Sequence, residues 1–159
     1  MVHFLPLIYP KGGVNYMKRV LLADDEESLL LAFRKLLQGP GMVIDTSQTL
    51  TDAQKLIHKY SYDIIIADLR LTGTVEMEGL SIVSDAKKLY PNVNIIILTA
   101  YGDSKIRERV KNAGVSYFFE KPVSVLQIKK LFTELGIYSG NCNNPSSFPN
   151  PNPLRISVG

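Results

Sequence analysis

The sequence predicts an α/β fold, a three-layer sandwich in which a five-stranded parallel sheet is covered by helices on both faces. Two observations support this prediction. Segments with strand and helix patterns alternate strictly through residues 18–135, with five of each. The strand segments at 62–68 and 93–100 are almost wholly apolar, which is typical of parallel strands that are buried on both faces.

The five strands are predicted by short apolar segments bounded by polar, glycine or proline residues. In chain order they cover 18–24, 42–47, 62–68, 93–100 and 115–119. The five helices are predicted by apolar residues at helical spacing, and several end at glycine or proline. They cover 27–38, 51–60, 79–89, 103–113 and 124–135.

Composition limits the chain to one globular domain. Its 159 residues are 45% hydrophobic and 21% charged, enough for one core but short for two. The formal net charge is only +3 and no basic stripe stands out, so no direct contact with nucleic acid is predicted. No apolar run is long enough to span a membrane, and a single cysteine, Cys142, excludes a disulfide framework. These features predict a cytoplasmic protein.

Both ends of the chain differ from the middle. Residues 1–16 show no clean period, and Met17 directly precedes the first strand. One hypothesis makes Met17 the natural start of the protein, and the alternative is an N-terminal arm that packs on the domain. The domain is predicted to cover 17–137, followed by a Pro- and Asn-rich tail, 138–159, that is disordered.

Polar residues stand where the predicted strands end. Asp24 and Asp25 end the first strand, Asp68 the third and Thr99 the fourth, while Lys121 follows the fifth. Singly, each has an ordinary explanation, such as a helix cap or a solvated strand end. Together they lie at one edge of a parallel sheet, where such folds bind ligands.

The chemistry of this set follows from its charges. Three clustered carboxylates repel one another, and a hard divalent cation relieves the repulsion. Mg²⁺ suits such a site, with Mn²⁺ as a substitute. A carboxylate beside the ion can attack a phosphoryl group and form an aspartyl-phosphate. The Thr99 hydroxyl and the Lys121 ammonium suit the remaining phosphoryl oxygens.

Four segments in this order, LLADDEE, IIIADLRL, IILTAYGD and FFEKPV, resemble the receiver domain of bacterial two-component response regulators, a CheY-like family. The resemblance covers residues 17–136. It implies a doubly wound, flavodoxin-like sheet with strand order 2-1-3-4-5. It also implies a signalling domain that catalyses only its own phosphorylation and dephosphorylation.

The resemblance also implies a role for each site residue. Asp68 would accept a phosphoryl group from a histidine kinase or a phosphotransfer protein, and Thr99 and Lys121 would bind the phosphoryl oxygens. The Lys121–Pro122 bond is commonly cis in the family. The implied metal ligands are Asp24, Asp25, Asp68 and the backbone carbonyl of Arg70.

The family's switch would use Thr99 and Phe118, where phosphorylation draws the hydroxyl inward and the aromatic ring follows. Strand alternation predicts Phe118 on one side of the sheet and its neighbours Tyr117 and Phe119 on the other. The fourth helix, fifth strand and fifth helix would then bind an effector protein. Homodimers form through the same surface in the family, and nothing in the sequence decides this point.

The chain departs from the family after Asp68. The usual Met-Pro pair is missing, Glu78 replaces an aspartate, and the loop 69–79 is about three residues longer. Either the loop recognises a partner or it is a tolerated length change.

Two other interpretations of the chain stay open. The chain can be the receiver piece of a larger transcriptional regulator rather than a separate module. A Mg²⁺-dependent phosphatase with an aspartyl nucleophile is the other alternative, but such enzymes need a second acid where this chain has Arg70.

Arg70 and Tyr101 flank the predicted site, at positions that control how water reaches the phosphoryl group in the family. We expect Tyr101→Ala to shorten the lifetime of the phosphorylated protein by about threefold, because a bulky ring no longer excludes water. The measurement is the decay of the phosphorylated species by intact mass. An unchanged lifetime would show that Tyr101 has no kinetic role.

Overall fold

The structure, a computed structural model, describes residues 17–71, 77–100 and 102–138. The predictions for the segment 1–16, for most of the loop 69–79, for Tyr101 and for 139–159 therefore lie outside the described residues.

One parallel sheet organises the described chain, and its strand order β2-β1-β3-β4-β5 confirms the predicted fold class. Every residue of the central strand β3 is buried, as its unbroken apolar sequence predicts. The strands are Lys18–Ala23 (β1), Met42–Ser47 (β2), Ile64–Asp68 (β3), Asn94–Thr99 (β4) and Tyr117–Glu120 (β5).

Five helices connect and follow the strands. Most predicted bounds differ from the observed ones by one or two residues, because helix and strand ends depend on local capping more than on periodicity. Asp103 caps the fourth helix, its side chain accepting from the Ile106 N–H at 2.8 Å. The helices are Glu27–Leu37 (α1), Leu50–Lys59 (α2), Glu78–Leu89 (α3), Ser104–Asn112 (α4) and Val125–Glu134 (α5).

The sheet separates two apolar cores. Helices α2, α3 and α4 cover one face, and α1 and α5 cover the other. The ring of Phe118 belongs to the first core, and Tyr117 and Phe119 pack in the second, which confirms the predicted alternation of β5.

Helix α1 is more exposed than its apolar sequence indicates. Leu30, Phe33 and Leu37 are buried against the sheet, but Leu31 and Leu36 are 60% and 47% exposed. The helical period defines the direction of the buried face, whereas the number of apolar residues it covers depends on the neighbours.

Within the part of the chain that the structure describes, no helix is both long enough and apolar enough to cross a membrane.

Tyr138 packs on the domain, although its position follows the predicted domain end at 137. Its ring lies 5.7 Å from that of Phe132, and its hydroxyl donates to the Leu37 carbonyl at 2.9 Å. A Cβ on Gly39 would lie only 2.8 Å from the Tyr138 ring. The ring therefore lies in a space that Gly39 leaves open at the end of α1.

The start of α3 lies directly on the end of β3. The Gly79 N–H donates to the Leu69 carbonyl at 3.1 Å. A Cβ on Gly79 would lie 2.5 Å from the Asp68 carbonyl oxygen and 2.9 Å from the Leu69 Cα, both backbone atoms that cannot turn away. Only glycine allows this approach, which fixes the backbone that carries Asp68.

We expect Gly79→Ala to lower the free energy of unfolding by about 1–3 kcal/mol, the cost of overpacking a closely packed site. Without the close contact the sign would be opposite, because alanine favours a helix over glycine by about 1 kcal/mol. Chemical denaturation measures the difference. The control is Ser84→Ala at an exposed position of the same helix, which we expect to change stability by no more than about 0.5 kcal/mol. Equal effects of the two substitutions would contradict the packing argument.

Candidate functional site

The strand register brings the predicted residues to one edge of the sheet. Ala23 of β1 pairs with Ala67 of β3, and Asp24 and Asp68 are the next residues along the two chains. The two aspartates therefore lie side by side at the carboxyl ends of adjacent strands. Thr99 is the last residue of β4, one strand further along. Lys121 directly follows β5, and its N–H donates to the Thr99 carbonyl at 2.7 Å. Parallel strands therefore place residues that are far apart in sequence at one site.

The Lys121 ammonium joins two of the carboxylates. Its Nζ lies 2.6 Å from Asp24 Oδ2 and 2.7 Å from Asp68 Oδ2. Asp24 and Asp68 are buried, with 2% and 8% of their surface exposed. Buried carboxylates require partners, and the lysine supplies a positive charge and a hydrogen bond to each. The Lys121–Pro122 bond is cis.

Backbone groups hold the other carboxylate oxygens. Asp24 Oδ1 accepts from the Glu26 N–H at 2.9 Å, and Asp68 Oδ1 accepts from the Arg70 N–H at 3.1 Å. The N-cap of α1 is Glu26, which makes no side-chain cap hydrogen bond. The helix-cap explanation for Asp24 is therefore not favoured, because its side chain binds a turn residue and the lysine instead.

Two opposed effects act on the pKa of Lys121. Burial, the largest single effect, lowers the pKa of the ammonium, whereas hydrogen bonds and charge attraction from Asp24 and Asp68 raise it. The net effect leaves the pKa of Lys121 above its ordinary value. The site therefore keeps a cation between the two buried carboxylates.

Three carboxylates at this edge have the arrangement of a metal site. Asp24, Asp25 and Asp68 each offer an oxygen, and these atoms lie within 4.8 Å of one another. Asp25 is exposed and the other two are buried, so one side of the group is open to water. A set of carboxylate oxygens with room for water fits Mg²⁺.

Of the remaining predicted residues, the structure describes Thr99, Phe118 and Arg70. Thr99 is 1% exposed at the end of β4, and Phe118 is 4% exposed with its ring in the core under α4. Arg70 directly follows the Asp68–Leu69 pair and is half-buried. Tyr101 lies outside the described residues.

Two contacts near the site were not predicted from the sequence. Arg107 on α4 forms an ion pair with Glu120, the last residue of β5, and lies over the Phe118 ring. The one signal was Glu120 itself, an acid beside Lys121 at the end of an apolar strand.

Comparison with known families agrees with this arrangement. The family model described as response regulator receiver domain matches residues 20–133. The match includes all three carboxylates, Thr99, Phe118 and Lys121.

Two curated proteins illustrate the range of relatives. The transcriptional regulatory protein GlrR of Escherichia coli (strain K12) is 30% identical over 104 residues, which cover 65% of this chain and 23% of that protein. The sporulation initiation phosphotransferase F of Bacillus subtilis (strain 168) is 23% identical over 112 residues, which cover 70% of this chain and 88% of that protein. The chain thus spans about a quarter of the regulator and most of the phosphotransferase.

A solved structure has the same fold. The response regulator receiver domain protein (CheY-like) from Methanospirillum hungatei JF-1 superposes with a TM-score of 0.67 and 24% sequence identity, covering 76% of this chain and 95% of that one. Together with the family match over residues 20–133, the fold and strand order assign the chain: it belongs to the response regulator receiver domain family.

Proposed function

We propose that this receiver domain accepts a phosphoryl group on Asp68 from the phosphohistidine of a histidine kinase or a phosphotransfer protein. The observation that supports this most is the Lys121 ammonium held between Asp68 and Asp24. An acceptor carboxylate needs a nearby cation that can follow the charge of the arriving phosphoryl group.

The proposed step is an in-line displacement. An oxygen of Asp68 attacks phosphorus, the phosphorus–nitrogen bond of the phosphohistidine breaks, and the imidazole nitrogen leaves with the bonding electrons and takes up a proton. The Arg70 N–H fixes the orientation of Asp68 by holding Oδ1. Rigid support is provided by β3 and by the close contact of Gly79 beneath it.

Two groups of the chain would bind the phosphoryl oxygens. The ammonium of Lys121 has three N–H donors, and its two carboxylate contacts leave one for a phosphoryl oxygen. The hydroxyl of Thr99, at the end of the neighbouring strand, would bind a second. Asp24, Asp25, Asp68 and the Arg70 carbonyl would hold Mg²⁺ or Mn²⁺, which when bound neutralises charge on the phosphoryl oxygens.

Thr99 and Phe118 would carry the change to the surface formed by α4, β5 and α5. Inward movement of the hydroxyl would favour the buried position of Phe118, and the surface would then bind an effector protein or a second copy of the chain. The domain bounds 17–137 and a cytoplasmic location are part of the same proposal. A non-enzymatic role, apart from the domain's own phosphorylation and dephosphorylation, is also part of it.

One second candidate is supported by a specific observation. The chain matches only 23% of the length of GlrR, so the domain would equally serve as the receiver of a longer transcriptional regulator. The phosphatase alternative is not favoured, because Arg70 occupies the position where such an enzyme needs an acid.

Phosphorylation can be tested directly by intact mass. With a small phosphodonor and Mg²⁺ we expect one phosphoryl adduct on the parent protein, because Asp68 is the supported and cation-paired carboxylate. Asp68→Asn should lose the adduct, and removal of Mg²⁺ with a chelator should prevent it.

The matched control is Asp85→Asn on α3, which keeps an acceptor for its partner Gln54. We expect it to be phosphorylated like the parent. If the parent takes up no phosphoryl group, or if Asp68→Asn takes it up equally, the proposed acceptor is wrong.

The metal site predicts a second result. We expect Asp25→Asn to weaken Mg²⁺ binding by at least about tenfold, the loss typical even for residues that only support a metal ligand. Isothermal titration calorimetry measures the affinity. Because Asp25 is exposed, the melting temperature of the ion-free protein should stay unchanged. Unaltered Mg²⁺ affinity would exclude Asp25 from the metal site.

A further inference from the structure

A group of four residues joins the end of β5 to α4 and to the loop before it. Arg107 on α4 donates through Nε to the Gly102 carbonyl at 2.9 Å and forms an ion pair through Nη2 with Glu120 Oε1. Its guanidinium carbon lies 5.5 Å from the centre of the Phe118 ring. One side chain therefore contacts three separate parts of the proposed switch surface.

These three parts all adjoin the residues that would move on phosphorylation. Glu120 pairs in the sheet with Thr99, and it immediately precedes Lys121. Phe118 is the aromatic residue of the proposed switch. Gly102 belongs to the segment between β4 and α4, which starts directly after Thr99. A movement of Thr99 or Phe118 would therefore alter the contacts that Arg107 makes.

The arrangement requires glycine at 102. A Cβ at this position would lie 2.7 Å from Cδ and 2.9 Å from Cγ of Glu120, so with any other residue here the Glu120 side chain would have to take another position. The Glu120 side chain occupies the space that the glycine leaves.

The contacts of Arg107 are too weak to add much to the stability of the whole fold. They are strong enough to shift an equilibrium between two conformations of similar free energy. The side chains of Arg107 and Glu120 are 39% and 48% exposed, and exposed ion pairs add little to the stability of a fold. A switch whose two arrangements differ by little free energy is shifted by such small contributions.

We propose that Arg107 is a positioning residue that, with Glu120 and Gly102, holds α4 against β5 and thereby raises the population of the inward arrangement of Phe118 before phosphorylation. This proposal rests on the proposed function in one respect: it takes the inward position of Phe118 to be the arrangement of the phosphorylated state. Phenylalanine has no hydroxyl to hold it inward by a hydrogen bond. The guanidinium over its ring provides an alternative attraction, because a cation favours the face of an aromatic ring.

The planar guanidinium is essential to this role. Arginine can donate to Gly102 and Glu120 from two nitrogens of one planar group while its cation stays over the ring of Phe118. A lysine would keep the charge but lose this geometry. Arg107→Lys should therefore show most of the defect of Arg107→Ala, whereas a simple charge effect would leave it like the parent.

Amide hydrogen exchange tests the proposal in the unphosphorylated, ion-free protein. We expect Arg107→Ala and Glu120→Gln to speed the exchange of residues 102–112 by about threefold, because an exposed ion pair and a cation–ring contact are lost. Because Glu120 acts through Arg107, the double variant should exchange no faster than Arg107→Ala alone. The control is Arg109→Ala, an exposed arginine on the same helix, which should exchange like the parent.

A second arm varies the salt concentration. Raising the salt concentration from about 0.05 M to about 0.5 M screens exposed charges, so exchange in 102–112 should rise in the parent but not in Arg107→Ala. If Arg107→Ala folds poorly, Glu120→Gln, which also lacks the ion pair, takes its place in this comparison. Equal exchange in the parent, Arg107→Ala and Arg109→Ala, or the same salt response in the parent and Arg107→Ala, would overturn the proposal.

The consequence for phosphorylation is measured separately. With a small phosphodonor, we expect Arg107→Ala to be phosphorylated about threefold more slowly than Arg109→Ala, since the inward arrangement is less populated. A parent that takes up no phosphoryl group would refute the proposed function and leave the exchange result to decide on Arg107. Faster exchange with an unchanged phosphorylation rate would overturn the link between Arg107 and the switch.

Discussion

The structure of the site depends on one contact, the Lys121 ammonium between the carboxylates of Asp24 and Asp68. These carboxylates end neighbouring strands and are buried, so without a cation they would repel each other at a position where little water can screen their charges. The lysine comes from beyond the edge strand β5, and its backbone is bonded to the end of β4. The Lys121 side chain therefore connects the loop after β5 to the carboxyl ends of β1 and β3. The same ammonium is the group that an incoming anion would meet.

The apolar sheet makes this arrangement possible. Polar residues at the ends of buried strands cannot move into the two cores, because the residues before them along β3 fill both cores in alternation. The close contact of Gly79 with β3 and the left-handed backbone of Met77 (φ 74°) restrict the same edge from the α3 side. The closest packing therefore lies beneath the site. Asp25 and the half-exposed Arg107–Glu120 pair lie at the surface, where their contacts can change without disturbing the core.

The sequence predicted those features that depend on periodicity and chain order. Unbroken apolar runs located the strands, and the polar residues at their ends located the candidate site. The pleat of β5 placed Phe118 opposite Tyr117 and Phe119. Features that depend on the meeting of distant elements were not predictable. The width of the buried face of α1 depends on its neighbours, which leaves Leu31 and Leu36 exposed. The contact of Arg107 with Glu120 depends on an absent side chain at Gly102, which no spacing rule signals.

Tyr138 has a consequence for the route of any signal. Its ring on Phe132 and its hydroxyl on Leu37 hold the chain beside the C-terminal end of α1, next to the start of β2. In a doubly wound sheet that region is the amino edge, opposite the edge that carries Asp68. The described chain therefore ends at the far edge of the domain from Asp68. Between these two places the domain offers a continuous path along β5 and α5, since β5 pairs with the end of β4 and Phe132 of α5 contacts Tyr138.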